Sequence, residues 1–270
     1  MIKCRNYLSV LFVNCFNCSF DSILITDSRL ISSDSAIMAG MLVSNCTGNS
    51  TLNNVTSLAN SIPGCKSSLG GIVGEMIGGT ISNSVSKDNV FDITSAKETF
   101  LGGITGKSDS VSYSFCESIN NQIFLNLNRA GTFSSYGGGI SANSNNDKFE
   151  YCKSTNNTVK VTSLEYNSYS GGLVANLMAG GSVQNCVSNN NTLITRIAPT
   201  NLDVTASSGG LIAITSSATL FNCSVEFNTI TSYSNNTSSY SFFFLCFLLK
   251  EIINFLALVE LLDFKIPIIT

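Results

Sequence analysis

The chain has 270 residues, of which only 11% are charged, and its formal net charge at pH 7 is −3. Its 14 Lys and Arg form no basic stripe that could hold phosphates, so nucleic acid is not expected as a partner. Histidine and tryptophan do not occur and proline occurs three times. Asn, Ser, Thr and Gly therefore supply most of the polar surface.

Residues 1–36 are predicted to form a partial coil of the repeat that fills most of the chain. Residues 17–19 and 23–26 resemble residues 185–187 and 193–195 in sequence. The early apolar run, residues 7–13, is short and lacks a small-residue cleavage site, so it fits a coil better than a signal peptide.

Residues 37–240 contain an internal repeat whose mark is a Gly-Gly pair followed by an apolar residue. The second glycines of successive copies are 31 to 38 residues apart, within the range typical of solenoids and propellers. The copies begin at Gly70, Gly102, Gly138, Gly171 and Gly209, with a degenerate copy at Ala39-Gly40-Met41.

Further columns keep a fixed spacing from these glycines. A position that holds Ser or Cys, which we call the slot, follows thirteen or fourteen residues after the glycines. An apolar residue lies three positions before the slot, and an Asn lies five positions after it. A second apolar residue lies two positions after that Asn. The slot holds Ser84, Cys116, Cys152, Cys186 and Cys223; the first apolar column Ile81, Tyr113, Phe149, Val183 and Leu220; the Asn column Asn89, Asn121, Asn157, Asn191 and Asn228; the second apolar column Phe91, Ile123, Val159, Leu193 and Ile230.

This pattern predicts three short strands in each repeat, because apolar residues recur at every second position. The predicted fold is all-β: a right-handed parallel β-helix (β-solenoid) of about six to seven coils. Asn suits the left-handed corners, and stacked carboxamides can bond along the column. A propeller is disfavoured because no Asn-Gly or Asp-Gly hairpin dipeptide occurs.

Ten cysteines allow two sharper interpretations. The four slot cysteines are predicted to be buried thiols that act as small apolar residues, with disulfides between coils as the alternative in an extracellular chain. Cys15-x-x-Cys18 has metal or redox spacing, but without a second pair or a histidine it does not predict a metal site. No cofactor is expected.

Residues 241–270 differ in composition from the repeats and form an apolar tail that is predicted to be helical. Its charges at Lys250, Glu251, Glu260 and Asp263 disfavour a membrane span. Three roles remain open: a helix that caps the solenoid, a membrane contact through 242–263, or a tail foreign to the array. The cap is favoured, since an open solenoid end exposes apolar residues and strand edges.

Two copies resemble the GLUG-motif repeat, which combines a Gly-Gly-Leu-Val-Gly segment, a Gly-Gly-Thr-Ile turn and an Asn-Cys pair. Residues 70–83 and 171–186 carry the resemblance, which extends over about 37–232. The copies at 102, 138 and 209 lack the second glycine pair. The resemblance implies an adhesin-like β-solenoid of a secreted or surface protein of bacteria or protists. It implies no catalytic residue.

An enzymatic function is not predicted, although β-helices also host polysaccharide lyases and hydrolases. Such sites need clustered carboxylates with basic residues beside them. The acids Glu75, Asp88, Asp92, Asp109, Asp147 and Glu150 fall in different columns, and only Asp88 and Asp92 lie close in sequence.

The predicted function is a non-enzymatic, extracellular or cell-surface binding scaffold for glycans or proteins of host or neighbouring cells. A structural spacer is the alternative, and a lyase or hydrolase the least favoured. Recognition is assigned to the variable segments 95–100, 126–136, 162–170 and 196–208, because loops vary where stacked strands cannot. Aromatic residues aligned on one face, with Tyr136, Tyr166, Tyr169 and Tyr233 as candidates, would favour glycan binding.

Overall fold

The computed structural model describes residues 7–9, 11–30, 38–63, 67–95, 98–127, 134–164, 166–198, 204–234 and 239–242. Every regular element in these ranges is a β-strand. None of the described residues belongs to a helix that could cross a membrane. The capping helix predicted for 241–270 lies almost wholly outside the described residues, and so does most of the membrane contact predicted for 242–263.

Four sheets run along the whole solenoid. Sheet A consists of Tyr7–Ser9, Met38–Gly40, Ser68–Gly70, Thr99–Gly102, Ser135–Gly138, Ser168–Gly171, Ala206–Gly209 and Ser239–Phe242. Sheet B consists of Phe12–Phe16, Val43–Thr47, Val73–Ile77, Thr105–Asp109, Ser141–Asn145, Val174–Met178 and Ile212–Thr215.

Sheet C begins with two long strands and continues as two separate arms. The long strands are Ser19–Thr26 and Thr51–Leu58. The first arm is Thr80–Ser82, Ser112–Ser114, Lys148–Glu150, Ser182–Gln184 and Thr219–Phe221; the second is Val85–Lys87, Glu117–Ile119, Lys153–Thr155, Val187–Asn189 and Ser224–Glu226. Sheet D consists of Ser61–Pro63, Val90–Ser95, Gln122–Leu127, Thr158–Ser163, Thr192–Ile197 and Thr229–Ser234.

Each strand pairs in parallel with its counterpart one turn away, as Ile123 does with Val159 in sheet D. The six strands of sheet D mark six turns, with partial turns at both ends of the described chain. The predicted parallel β-solenoid of six to seven coils is thereby confirmed.

Most turns contain five short strands, not the three that the sequence predicts. The Gly-Gly pair is a corner between two strands: Gly70 ends a strand of sheet A and Val73 begins the next strand, in sheet B. The second arm of sheet C, between the cysteine slot and the Asn column, is also absent from the prediction. The degenerate copy is shifted by one residue, because Gly40 pairs with Gly70, the first glycine of its pair.

In the pairs that begin at Gly70, Gly102, Gly138 and Gly171, the second glycine is required by close backbone approach. A Cβ at Gly139 would collide with the carbonyl oxygen of Gly172 in the next turn and with Oγ of Ser154. Gly71, Gly103 and Gly172 meet their surroundings in the same way. Residues larger than glycine are therefore excluded from this corner in these four turns.

The interior is built from the predicted apolar columns. Ile81, Tyr113, Phe149 and Val183 are fully buried and Leu220 is half-buried at the last complete turn. The rings of Tyr113 and Phe149 stack with centroids 4.5 Å apart. The side chains of this column therefore point into the interior of the solenoid.

The Asn column forms a buried ladder, as predicted, and Asn60 adds a sixth member. Oδ1 of Asn157 accepts a hydrogen bond from the backbone N–H of Asn121 at 2.8 Å. Its Nδ2 donates to the carbonyl oxygen of Ser118 and to Oγ of Ser154, both at 2.9 Å. The same bonds recur from turn to turn, so the ladder satisfies polar groups in a dry corner.

The left-handed backbone, however, lies one residue before the Asn column. Positive φ angles occur at Asp88, Asn120, Asn156, Asn190 and Phe227, whereas the ladder asparagines have none. The ladder asparagines are thus required for their side-chain hydrogen bonds, whereas the residues before them form the left-handed corner. The sequence predicts both roles for the Asn column, and the structure corrects this prediction.

Candidate binding surfaces

Among the described residues, Asp88 and Asp92, the pair that the sequence singles out, do not form a catalytic group. Asp88 lies on a corner, where its carboxylate is 4.0 Å from Nζ of Lys87 and both side chains are largely exposed. Asp92 points outward from sheet D. No group of three or more His, Cys, Asp or Glu that could hold a metal ion occurs within the described part of the chain.

Asp147 differs from the other acids because it is fully buried. Its Oδ2 accepts from Oγ of Ser108 at 2.5 Å, and its Oδ1 accepts from the backbone N–H of Val111 at 2.8 Å. Burial raises the pKa of Asp147 to about 7, although these hydrogen bonds act in the opposite direction. A polymer outside the solenoid has no access to this carboxyl group.

The four slot cysteines are buried free thiols, as predicted, and none of them is cross-linked to another. Sγ of Cys186 donates to the carbonyl oxygen of Gln184 and accepts from the N–H of Cys152. A side-chain hydrogen bond with the Cys152 thiol, together with burial, raises the pKa of Cys186 although the bond from the Cys152 N–H lowers it, so the thiol stays protonated. Cys15 and Cys18, by contrast, form a disulfide.

The Cys186→Ser variant is expected to change the free energy of unfolding by less than about 1 kcal/mol, whereas Cys186→Ala strands the Cys152 N–H and costs about 1–3 kcal/mol. Ser84 occupies the same slot and makes the equivalent bonds to Ser82 and Val55. Urea denaturation of both variants checks this. Equal losses for serine and alanine would contradict the hydrogen-bonding role.

Three of the aromatic side chains in the variable segments lie in one row. Phe100, Tyr136 and Tyr169 are in register in sheet A, with successive ring centroids 5.1 Å apart. They point away from the core, since the neighbouring Leu101 is a core residue. Phe100 and Tyr169 are nonetheless only 8% and 6% exposed, and Tyr136 is half-buried. We call these three residues the aromatic row.

The row is sheltered because the outer faces of sheets A and B meet at an angle. Tyr169 packs against Ala175 and Ala213 of sheet B. At the same angle, Oγ of Ser207 donates to the carbonyl oxygen of Ala213 at 2.9 Å. We call this angle between the two sheets the cleft; Tyr136 is the most exposed ring of the aromatic row along it.

Polar groups line the wall of this cleft in sheet B. Nζ of Lys107 is 3.5 Å from Oε1 of Glu75, and Nδ2 of Asn176 donates to Oδ1 of Asn143 at 2.8 Å. Glu98 lies near the row: burial raises the pKa of Tyr136, and the charge of Glu98 raises it further. Aromatic, amide and charged groups thus share one cleft.

The other two tyrosine candidates are not in the row. Tyr166 lies in the connection before sheet A, and Tyr233 is 53% exposed in sheet D. Only two of the four candidate tyrosines are therefore brought together.

A second aromatic feature was missed by the sequence analysis. Phe115 and Tyr151 stack with centroids 5.0 Å apart and planes 5° apart, and they are 55% and 48% exposed. Both have positive φ, 52° in each case, at the corner before the cysteine slot. We call Phe115 and Tyr151 the corner pair. The sequence does contain a sign of this pair: an aromatic residue stands directly before the slot in two copies, where other copies have Asn83, Asn185 and Asn222.

No family model matches this sequence, and no curated protein matches it. A solved structure with weak similarity is HetL, a pentapeptide repeat protein involved in heterocyst differentiation regulation from the cyanobacterium Nostoc. It is 11% identical, with a TM-score of 0.14, over 79% of this chain and 87% of that chain. Similarity at this level carries no argument about fold or function.

Proposed function

We propose that this chain is a non-enzymatic binding scaffold, displayed outside the cell, that recognises glycans or proteins on neighbouring cell surfaces. The GLUG-like repeats support extracellular display, as such repeats belong to adhesin-like proteins. The solenoid is a rigid support on which connections vary, as expected of a protein that binds through its loops.

The observation that carries the proposal is that strands which follow the variable connections carry the aromatic row of the cleft. Of the six connections between sheets D and A, the four that fall in the variable segments, residues 96–98, 128–134, 164–167 and 198–205, differ in length from turn to turn. Three of the four lead directly into Phe100, Tyr136 or Tyr169. A partly open aromatic ring beside amides and charges is a common composition of binding sites.

The sequence-defined segments extend into the strands on either side. Segment 196–208, for example, includes the end of Thr192–Ile197 and most of Ala206–Gly209. Its deletion would remove paired backbone, so point substitutions in the cleft are the better test.

Tyr136→Ser is expected to weaken binding to glycans or intact cells at least tenfold, because it removes the open ring of the cleft. Serine already occupies this column at Ser68 and Ser207, so the fold tolerates it. Binding of the purified chain to a glycan array and to cells provides the measurement.

Tyr233→Ser is the matched control, since Tyr233 is exposed outside the cleft. Equal binding by both variants would contradict the role of the cleft. Turnover of a polysaccharide that is lost in Asp88→Asn or Asp92→Asn would overturn the non-enzymatic assignment.

A further inference from the structure

The corner pair interrupts a column of polar residues. In register, the column runs Ser22, Asn54, Asn83, Phe115, Tyr151, Asn185 and Asn222, and each member has positive φ. Asn tolerates this backbone, while a bulky aromatic residue rarely adopts it. Two adjacent turns thus hold exposed rings at positions where a small amide is the less strained choice.

On either side of the interruption, one polar atom has no protein partner among the residues that the structure describes. Nδ2 of Asn222 donates to Oδ1 of Asn185 at 2.7 Å, and Nδ2 of Asn83 donates to Oδ1 of Asn53 at 2.9 Å. Within the described residues, Nδ2 of Asn185 and Oδ1 of Asn83 have no protein partner. Each belongs to the turn next to the corner pair, one as a free donor and the other as a free acceptor.

The stacked rings keep one face each for a ligand. Phe115 and Tyr151 cover each other on their shared side, so their outer faces are turned towards the neighbouring turns, which carry Asn83 and Asn185 in the same column. A ring is longer than a carboxamide and extends beyond it into solvent. At each end of the pair, an open aromatic face therefore stands beside an unpaired amide group.

The charges around the corner pair favour a neutral ligand. Glu117 and Lys153 are register neighbours in the second arm of sheet C, and Glu150 and Lys148 lie on the strand before Tyr151. The signs balance locally. A polyanion therefore finds no net electrostatic attraction at this site, and the chain as a whole carries a net negative charge.

We propose that the corner pair is a binding site for neutral glycans, in which a pyranose ring lies on the outer face of Phe115 or Tyr151 and its hydroxyl groups bond to Asn83 or Asn185. The negative face of an aromatic ring attracts the C–H groups of a sugar. Oδ1 of Asn83 accepts from a hydroxyl, and Nδ2 of Asn185 donates to one. Strain and exposure retained at one corner are typical of functional positions.

The decisive variant is F115N/Y151N, which places the residue of neighbouring turns in both positions. Because Asn relieves the backbone strain and extends the amide column, its melting temperature should equal or exceed that of the parent chain. Its affinity for neutral hexasaccharides of glucose, mannose and N-acetylglucosamine should fall at least tenfold. Calorimetric titration and thermal unfolding measure the two effects, with a uronic acid hexamer as the anionic control.

This inference rests on the proposed binding function, yet the two fail separately. Tyr233→Asn, which removes an exposed tyrosine elsewhere, should leave the affinity within twofold. If F115N/Y151N keeps full affinity while Tyr136→Ser loses it, the corner site is wrong and the binding function stands. If the parent chain binds cells but no neutral hexasaccharide, the corner site is also wrong. If it binds neither cells nor glycans, both proposals are overturned.

Discussion

Replacing Asn157 with alanine is expected to lower the free energy of unfolding by about 3–5 kcal/mol. The substitution strands the N–H of Asn121 and removes a hydrogen-bond partner from the carbonyl oxygen of Ser118 and from the hydroxyl of Ser154, all in a corner from which water is excluded. Each unsatisfied buried group costs about 1–3 kcal/mol, and the serine hydroxyl can partly recover by rotation.

Asn126→Ala is the matched control, since Asn126 is exposed in sheet D. Its loss should stay within about 0.5 kcal/mol, as for other surface substitutions. Asn167 is unsuitable as a control because its Oδ1 accepts from the N–H of Thr205 at 2.7 Å. Urea unfolding monitored by circular dichroism gives both values, and similar losses for Asn157→Ala and Asn126→Ala would refute the ladder.

The sequence predicts the solenoid because its strongest signals are periodic. Gly-Gly pairs, Asn157 with its equivalents and the column of Phe149 all recur every 31 to 38 residues, and stacked turns place equivalent residues on equivalent sites. Strand number was harder to predict. Elements of three residues, such as Val85–Lys87, are too short for an apolar alternation to reveal.

The polar partners of the ladder were also hidden. Ser86, Ser118, Ser154 and Ser188 precede the ladder asparagines by three residues in every turn from 86 to 191 and bond to them. Serine is so common in this chain that its column does not stand out. The hydrogen-bonding role of this serine column becomes apparent only in the structure, where the second arm of sheet C directs these hydroxyls inward, against the Gly-Gly corner.

The two candidate binding surfaces could not be fully predicted from the repeat pattern. The aromatic row follows from register, but its burial depends on the angle between sheets A and B, which no spacing encodes. The corner pair is a departure from the repeat at Phe115 and Tyr151. A search for recurring residues passes over such departures, although in a solenoid they are where individual turns differ in chemistry.

Asp147 is another departure, and its environment comes from the preceding turn. Ser108 and Val111 bond to the carboxyl group, and Tyr113 lies close by. These residues are 34 to 39 positions earlier in sequence, so only the register of adjacent turns brings them together. In the sequence, Asp147 is one of several scattered acidic residues. In the fold, it is the one buried carboxyl group among the described residues.

Stability is expected to fall by about 4 kcal/mol between pH 4 and pH 8 because of Asp147. Its pKa rises from 3.8 to about 7 on folding. Below pH 4 both states hold the proton and the residue has little effect. Between the two pKa values the unfolded chain releases the proton while the folded chain keeps it, so each pH unit costs about 1.4 kcal/mol. Above pH 7 both states are ionised and the loss is complete.

Asp147→Asn should remove this dependence, because a carboxamide keeps the bond from the Val111 N–H and never ionises. The measurement is urea unfolding from pH 4 to pH 8 for the parent chain, Asp147→Asn and the control Asp92→Asn, in which an equal charge is lost from the exposed face of sheet D. The parent and the control should lose stability in parallel as the pH rises. Asp147→Asn should overtake them near neutral pH; a slope equal to that of the parent would show that Asp147 ionises without cost.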